Sequence, residues 1–164
     1  MSSHDIIPRI EILTEKKLVG KCLEMTFAEN KTAELWKGFM PRRSEIKNRL
    51  NNDFISMQVY DASFDFNNFN PHKTFTKCAA VEVTDFDKLP EEMETFTLRE
   101  GFYAVFAYTG LNTDTTIFEY IYGTWISNSN YALDNRPHFE RLGAKYKNGD
   151  PNSEEEIWIP IKMK

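Results

Sequence analysis

The chain has 164 residues, 41% hydrophobic and 14% aromatic, with a formal net charge of −5. That length suits one domain, residues 1–164, with a sizeable core, and the acidic balance argues against a nucleic-acid binder, whose footprint is a basic face. Met1 to Asp5 has neither a basic n-region nor an apolar h-region, and no run reaches membrane-span length, so neither a signal peptide nor a membrane partner is expected.

Ile6 to Leu13 reads as a strand, with Pro8 tolerated near its start. Glu15-Lys16-Lys17 reads as a tight turn, and Leu18 to Phe27 as a second strand. From Asn30, a candidate cap, the period changes to that of a helix near Thr32–Met40. Pro41 interrupts it, and Arg42 to Leu50 reads as a short continuation helix. Arg42, Arg43, Lys47 and Arg49 surround Glu45 without interleaved aromatics, the pattern of a solvated face. Phe54 to Tyr60 alternates as a strand. The Asn-rich loop Asp61 to His72 carries Phe64, Phe66 and Phe69, expected to fold back onto the body. Lys73 to Val83 is a further strand, and Asp85 to Glu92 a connector. Strands follow at Met93 to Leu98 and Phe102 to Thr109. A helix near Thr115–Ser127, capped by Asp114, comes next, then a loop from Ser127 to Arg136 and a strand from His138 to Leu142.

The last strand, Glu154 to Ile161, is the most apolar short run. Alternation puts Ile157, Ile159 and Ile161 on one face with Glu155, and Glu156, Trp158 and Pro160 on the other. The isoleucine face reads as core. A carboxylate beside an indole suits a flat, cationic ligand; on residue chemistry alone the favoured reading is a solvated carboxylate and an edge-capping indole, since such neighbours are common. The two cysteines, Cys22 and Cys78, could pair in principle but read as reduced, half-buried strand thiols, which fits a cytoplasmic protein.

The order strand, turn, strand, helix, strand, strand occurs twice, approximately over 6–84 and 93–163. Ala33-Glu34-Leu35-Trp36-Lys37-Gly38 lines up with Phe118-Glu119-Tyr120-Ile121-Tyr122-Gly123. Two such units predict an α+β fold: duplicated βαββ units in an antiparallel sheet, two main helices on one face, and a groove between the halves.

These segments resemble the gyrase-inhibitor-like (GyrI-like) effector-binding domain, a module also attached to AraC-type and MerR-type regulators. The resemblance rests on Ala33 to Arg42, Glu100 to Phe106 and Ile121-Tyr122-Gly123-Thr124-Trp125. The tail, Asp134-Asn135-Arg136-Pro137-His138-Phe139-Glu140 and Glu156-Ile157-Trp158-Ile159-Pro160-Ile161, carries it furthest. The chain has no room for a helix-turn-helix domain and so resembles the stand-alone members. The resemblance implies a small-molecule ligand, probed by a glutamate ahead of the final Ile-x-Ile-Pro run, which is Glu156. It makes Trp36, Phe39, Tyr122 and Trp125, on the two helices, candidate groove walls, each of which also fits core packing, with Trp158 beside Glu156 a further ligand-binding candidate and Tyr108 a candidate hydroxyl donor.

Other chemistries lack motifs. The histidines are scattered and no zinc spacing, Walker loop or nucleophile elbow occurs, so no metal and no cofactor are expected. The expected function is a stand-alone binding protein for amphipathic, cationic small molecules, linked to transcription regulation without direct nucleic-acid binding. The alternative is a hydrolase of strained electrophiles such as cyclopropanoids, using Glu156 and Tyr108. A protein partner, as for the gyrase inhibitor itself, is a third reading.

Overall fold

The computed structural model describes residues 6–164. The alternating stretches form strands β1 (Arg9–Leu13), β2 (Lys16–Met25), β3 (Phe54–Val59), β4 (Phe75–Val83), β5 (Glu94–Leu98), β6 (Gly101–Thr109), β7 (Tyr131–Leu133), β8 (His138–Leu142) and β9 (Glu154–Met163). Helix α1 spans Thr32–Phe39. The second helix is one continuous rod of three pieces: α2 (Thr116–Tyr120), a π-helical turn (Ile121–Trp125) and α3 (Ile126–Asn128). Asn30 and Asp114 each accept the backbone N–H two residues on, at 2.9 Å. The chain is thus turned into both helices by the same Asx device.

The strand order is β1-β6-β9-β8-β3-β4-β2-β5, with β7 added to β9, and all pairings are antiparallel. This order repeats: β4 lies between β2 and β3 as β9 lies between β6 and β8, and β3 and β8 meet at the centre. The duplicated βαββ architecture expected from the sequence is what forms. Thr14 and Glu15 alone join β1, at one edge of the order, to β2 near the other. Two residues reach only about 10 Å, so the sheet has to curl until its edges approach. Arg99 and Glu100 impose the same on β5 and β6.

Curling gives the sheet an inside and an outside. The inside is packed by Leu18, Met57, Tyr103, Phe139 and Trp158 among others. Outside, Leu35 and Phe39 of α1 pack on Val19, Ala79 and Val81. Ile117 and Ile121 pack on Phe106, Ile157, Ile159 and Ile161. The isoleucine face of β9 is core, as its alternation requires, and so is the opposite face at Trp158, which is 6% exposed.

Several local expectations are corrected. Cys22 and Cys78 are joined in a disulfide rather than reduced. They sit directly opposite in the β2–β4 register, with Cα atoms 4.1 Å apart, a placement that pairing of distant strands creates and sequence spacing does not show. Lys16 and Lys17 belong to β2, since the turn needs only Thr14 and Glu15. The continuation helix is a 3₁₀ segment, Met40–Glu45, because Pro41 removes a donor; Arg49 instead bridges to Val83. Strand β7 lies inside the stretch expected to be loop, held by pairing with β9. No helix among the described residues is long and apolar enough to cross a membrane.

Candidate ligand-binding groove

α1 and the α2–α3 rod cover the flanks of the outer sheet face and leave its centre, β3 and β8, between them. Alternation aims Ile55, Met57 and Phe139 inward and sends Ser56, Gln58, His138 and Glu140 outward. Ser56, Gln58 and His138 are buried polar side chains. The register places Ser56 across from Glu140, and Gln58 between His138 and Lys77. On β9 Glu155 shares the outward face with Ile157, and on β6 Tyr108 lies across from it. The floor between the helices is therefore polar and carries two carboxylates.

The cover over this floor is aromatic. Tyr122 Oη lies 2.8 Å from His138 Nδ1. The Asn-rich loop folds back as expected, and Phe66 stacks on Tyr122 with ring centroids 4.1 Å apart and planes 12° from parallel. Tyr60 meets His138 edge-on at 5.0 Å and Phe66 at 5.1 Å. Phe64 packs on Tyr60 at 4.6 Å. Beside the Phe66–Tyr122 stack, a cavity of about 520 Å³ opens between loop residues 62–67 and the end of the helical rod, with Tyr131 and Lys164 also in its wall. That is within the usual size range for small-molecule sites.

Enclosure sets the protonation states. Burial, followed by repulsion from Glu140, pushes the Glu155 carboxyl up to about 8 against the pull of Lys77. Burial also raises Glu140, against Lys77 and a 3.4 Å hydrogen bond from Gln58. Burial, with the Arg136 charge behind it, pushes His138 down to about 3, so the ring is neutral. Tyr60 and Tyr122 are raised by burial first and by nearby groups including Glu140 second. Lys77 Nζ is tied to Thr32 Oγ1 at 3.1 Å, at the start of α1. A desolvated pair of carboxyl groups facing one tethered lysine is a place where an added cation favours the ionised forms.

The structure distributes the residues expected from sequence over three places. Tyr122 is in the groove. Tyr108 borders Glu155, but its hydroxyl donates to the Leu111 carbonyl at 2.8 Å. Phe39 is fully buried, with Trp36 and Phe54 edge-on to it in the α1 core. Trp125 packs edge-on to Phe106 at 5.2 Å and stacks with Tyr131 at 6.3 Å. Glu156 and Trp158 lie on the inner sheet face. Glu156 accepts from Arg9 at 2.8 Å and from the Trp158 indole at 3.2 Å. Burial alone would raise its carboxyl, but these bonds outweigh burial and hold it below the ordinary range. The sheet separates Glu156 from Tyr108 and from the helix aromatics, so the expected Glu156–Tyr108 pair does not converge on one point. Glu140, Glu155, Gln58, Tyr60 and Phe66 were not singled out as site residues from the sequence. The usable signal was Glu155 in register with the isoleucine face, a carboxylate where core is expected.

A curled sheet of two βαββ halves, with an acidic, aromatic-covered floor between its helices, defines a GyrI-like effector-binding domain. The chain has the fold of an integron cassette protein from the mobile metagenome of Vibrio cholerae (TM-score 0.65, 15% identity, 95% of this chain and 96% of that one). It is similarly close to SAV2435, solved bound to tetraphenylphosphonium (TM-score 0.65, 19% identity, 94% and 93%). The C-terminal domain of EcmrR matches as well (TM-score 0.68, 14% identity, 98% and 99%). At such identities the likeness concerns the fold. A search of curated protein sequences found no match. The chain belongs to the family of integron-associated effector binding proteins, whose model matches residues 9–161.

Proposed function

We propose that the protein binds amphipathic, cationic small molecules in the groove between its helices, as a sensor or sequestering protein. The ligand's charge is set against Glu155 and Glu140, and its flat apolar part against Phe66 and Tyr122. The observation that carries this reading is a pair of desolvated carboxylates under an aromatic cover, with Lys77 as the cation that reaches both. A cation relieves the repulsion between the carboxylates and gains from the ring faces as well. Glu156 is given no such role, because Arg9 already supplies its cation. The complex of SAV2435 with tetraphenylphosphonium supports the ligand class. The likeness to EcmrR, solved in complex with DNA, supports a place in transcription regulation.

Isothermal titration with tetraphenylphosphonium chloride tests this. Saturable binding is expected, weakened by roughly tenfold or more in Glu155→Gln and Glu140→Gln, as loss of a desolvated charge partner implies, and unchanged in Glu156→Gln. No binding by the wild type, or a loss confined to Glu156→Gln, would overturn the assignment.

A further inference from the structure

Lys77 on β4, Gln58 on β3, Glu140 on β8 and Glu155 on β9 form a diagonal row across the outward face at the centre of the sheet. Cys78 faces the inside and Ala79 the outside, so alternation sends Lys77 outward. Lys77 is directly across from Gln58. Gln58 is across from His138, two residues before Glu140, and its amide donates to Glu140 Oε1 at 3.4 Å. Glu140 is across from Ile157, two residues after Glu155. Diagonal neighbours of this kind are within reach of long side chains. The row sets one ammonium at one end and a pair of carboxyl groups at the other.

Contact does not neutralise these charges. Among the described residues Lys77, Glu140 and Glu155 take part in no ion pair. Lys77 Nζ is held by a neutral partner, Thr32 Oγ1, at 3.1 Å. Glu155 accepts no hydrogen bond among the described residues, yet its oxygens are not sealed from the surface. All three side chains are half-buried, with surface left for a ligand. Lys77 is thus a fixed positive charge that favours ionisation of both carboxyl groups without occupying either. A pair of ionised carboxylates in an enclosed site compensates two positive charges, and a third carries its desolvation cost without a partner. Lys77 is already the first of the two. We propose, resting on the cation-binding reading of the groove, that Lys77 fixes the ligand's charge at one: the groove selects flat monocations and rejects dications of the same shape. A like charge built into the wall against the wrong ligand is a common source of specificity.

Two flat probes of nearly equal shape and permanent charge separate the cases. 1-Methyl-4-phenylpyridinium carries one positive charge and methyl viologen two. Isothermal titration is done at constant ionic strength and pH 9, above the value of about 8 at which Glu155 ionises. The wild type is expected to bind the monocation at least ~5-fold more tightly. Lys77→Met and Lys77→Gln, two neutral replacements, are each expected to move the affinity ratio toward methyl viologen by at least ~10-fold, the relief of a like-charge contact. Lys77→Arg keeps the charge and is expected to keep the wild-type preference, which a merely structural role for the lysine stem would not require. Glu156→Gln, on the other face of the sheet, is expected to leave both affinities in place. Binding of neither probe by the wild type would overturn this assignment together with the groove reading. Binding of the monocation with a ratio that both neutral variants leave unmoved, or an equal shift in Lys77→Arg, would overturn the role of Lys77 alone. So would a wild type that prefers methyl viologen.

Discussion

Glu155 gives the groove a pH signature that can be worked through from its surroundings. Its carboxyl moves from 4.5 to about 8 through burial and the nearby Glu140. An unfolded chain loses this proton near 4.5, and the folded protein holds it until about 8. Between those values the native state binds more protons, so stability is fully present at the acid end and falls as pH rises through the window. At about 1.4 kcal/mol per pH unit the ceiling is roughly 5 kcal/mol; solvent reaching the half-buried tip reduces the expected effect to ~2–3 kcal/mol. Glu155→Gln mimics the protonated form. Urea unfolding at pH 5 and pH 9 is expected to show near-equal stability at pH 5 and the variant ahead by ~2–3 kcal/mol at pH 9. Using the difference between the two proteins cancels other titrations, including that of His138. A cationic ligand requires the charged form, so affinity for tetraphenylphosphonium is expected to rise with pH up to about 8. Binding near pH 7 then releases a proton, seen as a dependence of the titration enthalpy on the buffer's ionisation enthalpy. Parallel stability curves for the two proteins, together with buffer-independent enthalpies, would refute the reasoning.

Four further outcomes are expected. His138 is held neutral down to about 3 by burial; an unfolded histidine gains its proton near 6.5, so stability is expected to fall between these values as pH drops, and His138→Gln to flatten that limb in acid unfolding. Cys22→Ala with Cys78→Ala, read by thermal denaturation with and without dithiothreitol, is expected to cost about 2–4 kcal/mol and to abolish the reductant's effect. Gly38 lies within α1 with nothing within 4 Å of where a Cβ would stand, so Gly38→Ala is expected to stabilise by about 0.5–1 kcal/mol in urea unfolding. Arg9 and Glu156 are each well exposed at 45% and 33%, so Glu156→Gln is expected to change stability by only about 0.2–1 kcal/mol by the same measurement.

Local pattern determined a great deal here. The period of Ala33, Leu35, Trp36 and Phe39 gives α1, the alternation of Ile157, Ile159 and Ile161 gives the core face of β9, and the repeated order of elements gives the βαββ duplication. These follow from side-chain direction within one segment, which a sequence displays. Short β7 was hidden because its only support is pairing with β9, and the 3₁₀ turn after α1 because Pro41 marks the break without showing which kind of turn follows it. The Cys22–Cys78 bond and the groove floor belong to the tertiary structure. Alternation sorts Glu155 from Glu156, but it does not say which face of a curled sheet is enclosed by helices and which is filled by Trp158 and Phe139. Only the closing of the sheet, forced by the two-residue turns at Thr14 and Arg99, puts Glu140 beside Glu155 under Phe66 and Tyr122, and Arg9 against Glu156. Carboxylates distant in sequence acquire their shared environment, and hence their chemistry, from that closure.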